Sequence, residues 1–600
     1  VYWPSRSVEP TGRPAPDTRE TIGPRGAGDV LALVTVSLLA VVVQAVLWER
    51  FRQPLWYDEL WRPHFVAEPA GTFWSELSVA NTPSAIGSMG LLRVCGDVFG
   101  WHAWALRLPS AVPLVTLAAG TWLLGRRLTG RAAAFAAALT VTLAGTVVDL
   151  ASQVKPYTLD AACAVAVVML WTRAAPTTRA LLWSRFAVGV LALFSLPALF
   201  LIVPLTVLDV ARPTARAAAA RPAIRSAVHA VLCDAPAVVV AGLHAALFVL
   251  HQSGQRASTF WDDHFLAGRG PLDGIRFVAD QLAATAAGAP PGIDRYDPNL
   301  VHPLTDSSDP VVIVLGCAVA IAFAAGAVTL SRRPDGRVLL VATGGAELMV
   351  LAASAGRYWP FGAVRTNVFV VPLLTVVAAA GAAALARAAR DAWAGARPAG
   401  GQAAGRRGAA AVLLAAVTAV TVLAAAAVPA AAVSALRPLW EERGERRPID
   451  LMVDATVTAR RLYRPGDLVV VGGRLARAGW LYGMEVSQDG AADNRTPGQE
   501  RPRPGAEVVA GPVGPRVRRS STVFLTAIGD GGVGRTLARR APGPAGRVLL
   551  FVLAYDRRGT ARALAEAQAA GWCPAWTHDF ELTGTLRVLT PCEGRAGDTA

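Results

Sequence analysis

Asp29-Val-Leu-Ala-Leu-Val-Thr-Val-Ser-Leu-Leu-Ala-Val-Val-Val-Gln-Ala-Val-Leu47 is an apolar stretch, and shortly after it comes Gln53-Pro-Leu-Trp-Tyr-Asp-Glu-Leu-Trp-Arg62. The first segment has the length and composition of a membrane-spanning helix. The second sets two adjacent carboxylates among aromatic rings where the chain leaves that helix. The rest of the 600-residue sequence repeats the first pattern. Apolar runs near 108–125, 132–150, 158–172, 186–196, 197–210, 227–250, 309–331, 337–355, 366–386 and 409–435 bring the expected spans to about eleven. The pair around Pro197 reads either as two short helices or as one kinked one, because proline removes a helix hydrogen bond and crowds the preceding turn.

Composition agrees. The chain is 53% hydrophobic and 17% charged, with mean hydropathy +0.40. Soluble chains carry about 25% charge, so a soluble globular enzyme and a disordered protein are both excluded. The net charge of +15 falls largely in alternate connections: Arg126, Arg127 and Arg131; Arg173, Arg179 and Arg185; Arg212 to Arg225; Arg332, Arg333 and Arg337; Arg387 to Arg407. Such arginines orient a membrane protein with these loops inside. Nucleic acid is not expected as a partner. The residues 1–28 then read as a cytoplasmic leader to an uncleaved anchor. Residues 29–435 read as a transmembrane domain with outer loops 48–107 and 251–308. Residues 436–600 read as an extracytoplasmic α/β domain.

In that last segment, Asp467 to Gly472, Ser521 to Leu525 and Arg547 to Leu553 predict buried strands, and Gly559 to Ala570 predicts a helix. Gln488 to Pro515 predicts a loop, and Gly529-Asp-Gly-Gly-Val-Gly534 predicts a turn. Cys573 and Cys592 flank the last two strand candidates, where an oxidising exterior permits a disulfide. No Cys/His spacing fits a zinc site.

Three outer turns concentrate chemistry. In the first, Asp58 and Glu59 stand amid Trp56, Tyr57 and Trp61, and the loop 48–107 holds six of the 17 tryptophans. Aromatics anchor at membrane edges and also stack on sugars. A carboxylate among them is desolvated, as suits a general base, although an acid at a helix start has the same look. In the second, Ala151 to Asp160, Lys155 is the only lysine of the chain. It reads equally as a cation for a lipid phosphate or as a snorkelling side chain. In the third, Gly356-Arg-Tyr-Trp-Pro-Phe-Gly-Ala-Val-Arg365 offers Arg357 and Arg365 for phosphate, for the carboxylates or for interfacial anchoring. Among the other polar residues, Asp234 and Glu347 fall at or within spans, where acids are functional candidates. Trp261-Asp-Asp-His264 and Asn494-Arg-Thr496 carry weaker signals.

Together, Trp56-Tyr-Asp-Glu59, Ser152-Gln-Val-Lys-Pro-Tyr157 and Arg357-Tyr-Trp-Pro-Phe with Arg365 resemble the GT-C superfamily of membrane glycosyltransferases. The nearest kinds are bacterial proteins similar to protein O-mannosyltransferases and aminoarabinose transferases. The resemblance covers about residues 30–390. It implies a polytopic GT-C-like fold and inverting transfer of a sugar from a polyprenyl-phosphate donor to an envelope acceptor at the outer face of the bilayer. It assigns the acidic motif to Asp58 and Glu59, with Asp58 as base and Glu59 assisting by hydrogen bonding or by holding a divalent cation. Lys155, Arg357 and Arg365 are expected on the donor phosphate. Trp56, Tyr57, Trp61, Gln153 and Tyr157 are expected on the substrate. Val154 departs from relatives, in which this position is often acidic, and Asn81-Thr-Pro83 is the nearest match to a downstream His-Pro-Pro-type segment. A flippase for a lipid-linked precursor and a non-catalytic envelope scaffold are the rival readings, although no internal repeat of the transporter kind is visible.

Overall fold

A computed structural model of the protein describes residues 26–56, 58–78, 83–216, 220–252, 261–286, 310–395, 436–444, 450–473, 476–487, 522–525, 531–540, 546–554 and 557–592. Its first two thirds are helical: α1 (Ala27–Val46), α2 (Trp48–Arg52), α3 (Trp61–Ala67), α4 (Ala70–Leu77), α5 (Ile86–Phe99), α6 (Ala103–Leu128), α7 (Arg131–Leu143), α8 (Gly145–Ala151), α9 (Tyr157–Thr172), α10 (Thr178–Phe194), α11 (Ala198–Arg216), α12 (Ala220–His244), α13 (Pro271–Ala286), α14 (Pro310–Ser331), α15 (Pro334–Ala355) and α16 (Val371–Gly395).

Among the described residues, five helical segments are long and apolar enough to cross a membrane: Ala27–Val46, Ala103–Leu128, Ala227–Val249, Pro334–Ala355 and Arg365–Asp391. The pair α7 and α8 makes a sixth, bent by 54°. Of the expected eleven, five or six are thus found as full spans among the described residues, and the stretch 409–435 lies outside them. The remaining expected stretches within the described residues are helical as well. The chain breaks between α10 and α11 at Pro197, giving two helices. α9 is short, and its side chains are buried around most of its circumference, as in a central rather than a lipid-facing helix. α1 is the opposite case: Val30, Leu31, Val34, Leu38, Val41, Val42 and Val46 all point outward. α14 and α16 cross at glycine. A Cβ on Gly326 would lie 1.9 Å from the Val377 carbonyl oxygen, and one on Gly381 would lie 1.7 Å from that of Ala322. Only residues without a side chain permit that approach.

The C-terminal segment forms a five-stranded sheet, in the order β2 (Thr522–Leu525), β1 (Leu468–Gly472), β3 (Val548–Leu553), β5 (Gly584–Pro591), β4 (Trp572–Asp579). β1 is parallel to both β2 and β3, and β5 is antiparallel to its neighbours β3 and β4. Strand periodicity of two sends alternate side chains to opposite faces. Val470, Leu550 and Val552 face helices Gly532–Arg540 and Arg557–Ala569. Val469, Val471, Leu549 and Phe551 face the other way, into a core shared with Leu55, Leu60, Trp61 and Phe65 of the first loop. Cys573 and Cys592 are disulfide-bonded, with Cα atoms 4.9 Å apart. The loop 488–515, Asn494, and most of the 1–28 leader lie outside the described residues. At Gly531 the glycine-rich turn opens a helix, and its backbone amides are already filled. Glu566 accepts hydrogen bonds from Gly531 and Val533, both at 2.9 Å.

Candidate active site

The acid loop is held from below by Arg107, near the start of α6. Its guanidinium donates to the carbonyls of Arg50 (2.9 Å), Phe51 (3.1 Å) and Gln53 (2.6 Å). It also pairs with Glu59 at 2.9 Å. Glu59 is wholly buried and accepts the backbone N–H of Val154 at 2.7 Å. One carboxylate thus ties the first outer turn to the second. A parallel tie runs through α8. The bend before Gly145 aims Asp149 at Arg50, 2.5 Å away, and Gln153 donates to the same carboxylate at 2.8 Å. The Ser152–Lys155 turn is further fixed by Ser110, whose hydroxyl donates to the Lys155 carbonyl at 2.5 Å.

With the two turns clamped, Asp58 and Lys155 meet. The Lys155 ammonium pairs with Asp58 Oδ2 and donates to the Asp58 carbonyl at 3.1 Å. Its Nζ lies 5.5 Å from the centre of the Trp56 ring. From the third turn, Arg365 brings Nη2 to 3.4 Å from Asp58 Oδ2 and lies over the Trp261 ring at 5.5 Å. Arg365 opens a short 3-10 segment that Asn367 braces by donating to the carbonyls of Pro360 (3.1 Å) and Gly362 (2.9 Å). Gly362 has φ 98, a left-handed conformation that favours glycine. Its neighbour Ala363 donates to Gln281 of α13 at 3.0 Å.

Arg62 completes the group. It is buried on α3, donates through Nε to Ser84 Oγ at 2.7 Å, and lies within electrostatic range of Asp58, Lys155 and Arg365. Its Nη1 is buried with no hydrogen-bond partner among the described residues. Tyr157 and Asp160 at the start of α9 are also in range of Arg62. Three basic side chains, Lys155, Arg365 and Arg62, therefore act on Asp58. Burial pushes the Asp58 carboxyl upward, but Lys155 and Arg365 outweigh it and hold the group below its usual range. Burial pulls Lys155 down to about 7; Asp58 opposes this, and Arg62 and Arg365 add to it.

The expected site residues divide accordingly. Asp58, Lys155 and Arg365 converge, and Tyr157 borders them. Glu59 does not face the group; it is taken up by Arg107 and Val154. Arg357 is displaced from the expected phosphate set. It takes a left-handed φ of 58 just beyond the end of α15, is half-exposed, and pairs with Asp262. Trp61 is core, buried beside Phe65 and the C-terminal sheet. Trp56 is buried beneath the Lys155 ammonium. Gln153 is engaged by Asp149. Tyr57 lies outside the described residues, as do Asn81 and Thr82. Asp234, at the far end of the bundle, pairs with Arg185 at 2.7 Å. The sequence reading passed over Arg62, Arg107, Arg50 and Asp149. Arg62 stands at the end of the acidic motif itself, and its place one helical turn after Asp58 was the available signal.

Among the described residues no three His, Cys, Asp or Glu side chains converge, and Asp58 and Glu59 each already face a basic partner.

Residues 89–240 match the dolichyl-phosphate-mannose-protein mannosyltransferase family, a segment that includes the Lys155 turn and begins after the acid loop. No curated protein sequence matches the chain. Apo ArnT from Cupriavidus metallidurans is similar in structure, with TM-score 0.51 and 13% identity over 93% of this chain and 98% of that one. For ArnT from Cupriavidus metallidurans bound to undecaprenyl phosphate the values are 0.49 and 14%, over 94% and 98%. For the apo Archaeoglobus fulgidus oligosaccharyltransferase they are 0.41 and 13%, over 76% and 63%. The protein thus has an ArnT-like fold, and within it residues 89–240 resemble the mannosyltransferase family.

Proposed function

We propose that the protein transfers a sugar from a polyprenyl-phosphate donor to an acceptor of the cell envelope, with inversion, on the extracytoplasmic side of the membrane. The observation that carries this reading is the buried convergence of basic side chains on Asp58. Lys155, Arg62 and Arg365 crowd one carboxylate, and buried cations gathered in this way favour a bound anion. A lipid-linked phosphodiester supplies that anion, and the undecaprenyl phosphate seen with ArnT of Cupriavidus metallidurans names the lipid class to try first.

The chemistry balances simply. The acceptor hydroxyl oxygen bonds to the anomeric carbon from one face as the bond from that carbon to the phosphate oxygen breaks on the other. The hydroxyl proton passes to Asp58. The new negative charge on the departing phosphate is held by Lys155, Arg365 and Arg62. Without donor, Asp58 is a poor base because two cations lie on it. A phosphate that draws those cations away raises its basicity when an acceptor is to be deprotonated. Glu59 and Arg107 position the loop and do not touch substrate. The outward placement of the site and of residues 436–600 rests on the arginine bias of the opposite connections.

Asp58→Asn tests this. Purified full-length protein, offered radiolabelled polyprenyl-phosphate sugars and a cell-envelope extract, is expected to label the extract, and the variant is expected to lose all transfer while still folding. Full transfer by the variant removes Asp58 from the mechanism. Movement of the lipid across liposomes without any transfer by the unaltered protein replaces the proposal with a flippase.

A further inference from the structure

Helix Ala476–Glu485 of the C-terminal unit touches the outer loop 48–107 through Gly479, Arg477 and Tyr482. Gly479 packs on Leu60, the residue after Glu59. A Cβ there would come within 3.1 Å of Leu60 Cδ1 and of Met452. Arg477 makes a two-pronged ion pair with Glu76 of α4. The Tyr482 hydroxyl donates to the Trp101 carbonyl, just before α6, at 3.0 Å. Behind these contacts, the Trp480 ring packs at a tilt on Phe551 of β3, with ring centres 4.9 Å apart, and the inner sheet face shares one apolar core with Leu55, Leu60, Trp61 and Phe65. Two of the elements so gripped hold residues of the site or its support, α3 with Arg62 and α6 with the clamp Arg107, and α4 lies beside α3.

We propose that helix 476–485 is a positioning element for the transferase, with Arg477 and Gly479 fixing the depth of the Asp58–Arg62 segment against Lys155 and Arg365. The inference rests on the function proposed above for its catalytic meaning, but its geometric content stands apart. A sheet that merely folded alongside the bundle needs neither an ion pair to α4 nor a glycine against Leu60. Held this way, the loop keeps Asp58 and Arg62 preorganised before any ligand arrives, which lowers the ordering cost of binding.

Hydrogen exchange on the ligand-free full-length protein reads the position directly, and binding of undecaprenyl phosphate reads its consequence. Arg477→Glu is expected to speed exchange of amides 58–67 and weaken undecaprenyl phosphate about tenfold, the loss of one charge-assisted contact. The reciprocal swap, Arg477→Glu with Glu76→Arg, is expected to restore both. Cys573→Ser with Cys592→Ser loosens β4 and β5 and is expected to leave both readouts unchanged. Unaltered exchange at 58–67 in Arg477→Glu overturns the proposal, as does equal loosening of that segment by the disulfide variant. If the unaltered protein binds no undecaprenyl phosphate, the proposed function fails, while the exchange data still decide the positioning role.

Discussion

At Lys155, burial strips water from the ammonium, Asp58 stabilises its charge, and Arg62 and Arg365 repel it. The resulting value of about 7 puts its proton in the working range. The sign of the pH effect follows from linkage. A phosphodiester donor keeps one negative charge throughout, and Asp58, held below its usual range, stays ionised. Donor binding favours the protonated ammonium, so affinity is full below pH 7 and falls as pH rises through it, by up to about tenfold per unit. Lys155→Arg is expected to flatten that profile, since guanidinium keeps its charge. Calorimetric titration across pH 6–9 checks this, and an affinity that climbs with pH in the unaltered protein contradicts it.

The three turns were visible in the sequence because each interrupts an apolar run with a dense polar stretch, and that contrast survives without any structure. Their internal division of labour was not visible. Asp58 and Glu59 are chemically alike and adjacent, but a turn sends consecutive side chains to different sides. One faces Lys155 and the other faces Arg107. Arg107 and Asp149 sit at helix ends, where a charge is ordinary, and their partners are far along the chain. Arg357 and Arg365 looked equivalent; the left-handed residue at 357 closes α15 and leaves its side chain with Asp262, whereas Arg365 lies beyond the Gly362 turn that points it inward. The clamp gives an element-level prediction. Arg107→Met takes the ion-pair partner Arg107 from buried Glu59, a loss of about 3–5 kcal/mol. A lowered unfolding midpoint in detergent is expected, and an unchanged one removes Arg107 as the brace of the acid loop.

Across the whole molecule, charged networks gather at two ends of the bundle. Arg107 and Arg126 lie on the same helix, roughly 29 Å apart at 1.5 Å per residue, close to the thickness of a bilayer's apolar core. The Arg126 end holds Asp29 with Arg126 and Arg131 at 3.1 and 2.8 Å, and Arg127 with Asp335 at 2.7 Å. The sequence foretold this end as an arginine bias without foretelling its carboxylate partners. An apolar run buried among other helices, such as α9, reads in the sequence like one facing lipid. In cells, with the four free cysteines replaced by alanine, a cysteine at Glu441 is expected to react with an impermeant maleimide from outside, and one at Arg332 only after lysis. The reverse pattern inverts the proposed orientation. The account as a whole depends on Asp58, Lys155 and Arg365 forming one phosphate chamber that excludes Arg357. Equilibrium binding of undecaprenyl phosphate to the purified protein addresses that directly. Binding weakened about tenfold or more by Lys155→Met and by Arg365→Met, and unchanged by Arg357→Met, is the predicted result; affinity that survives Arg365→Met but is lost with Arg357→Met contradicts it.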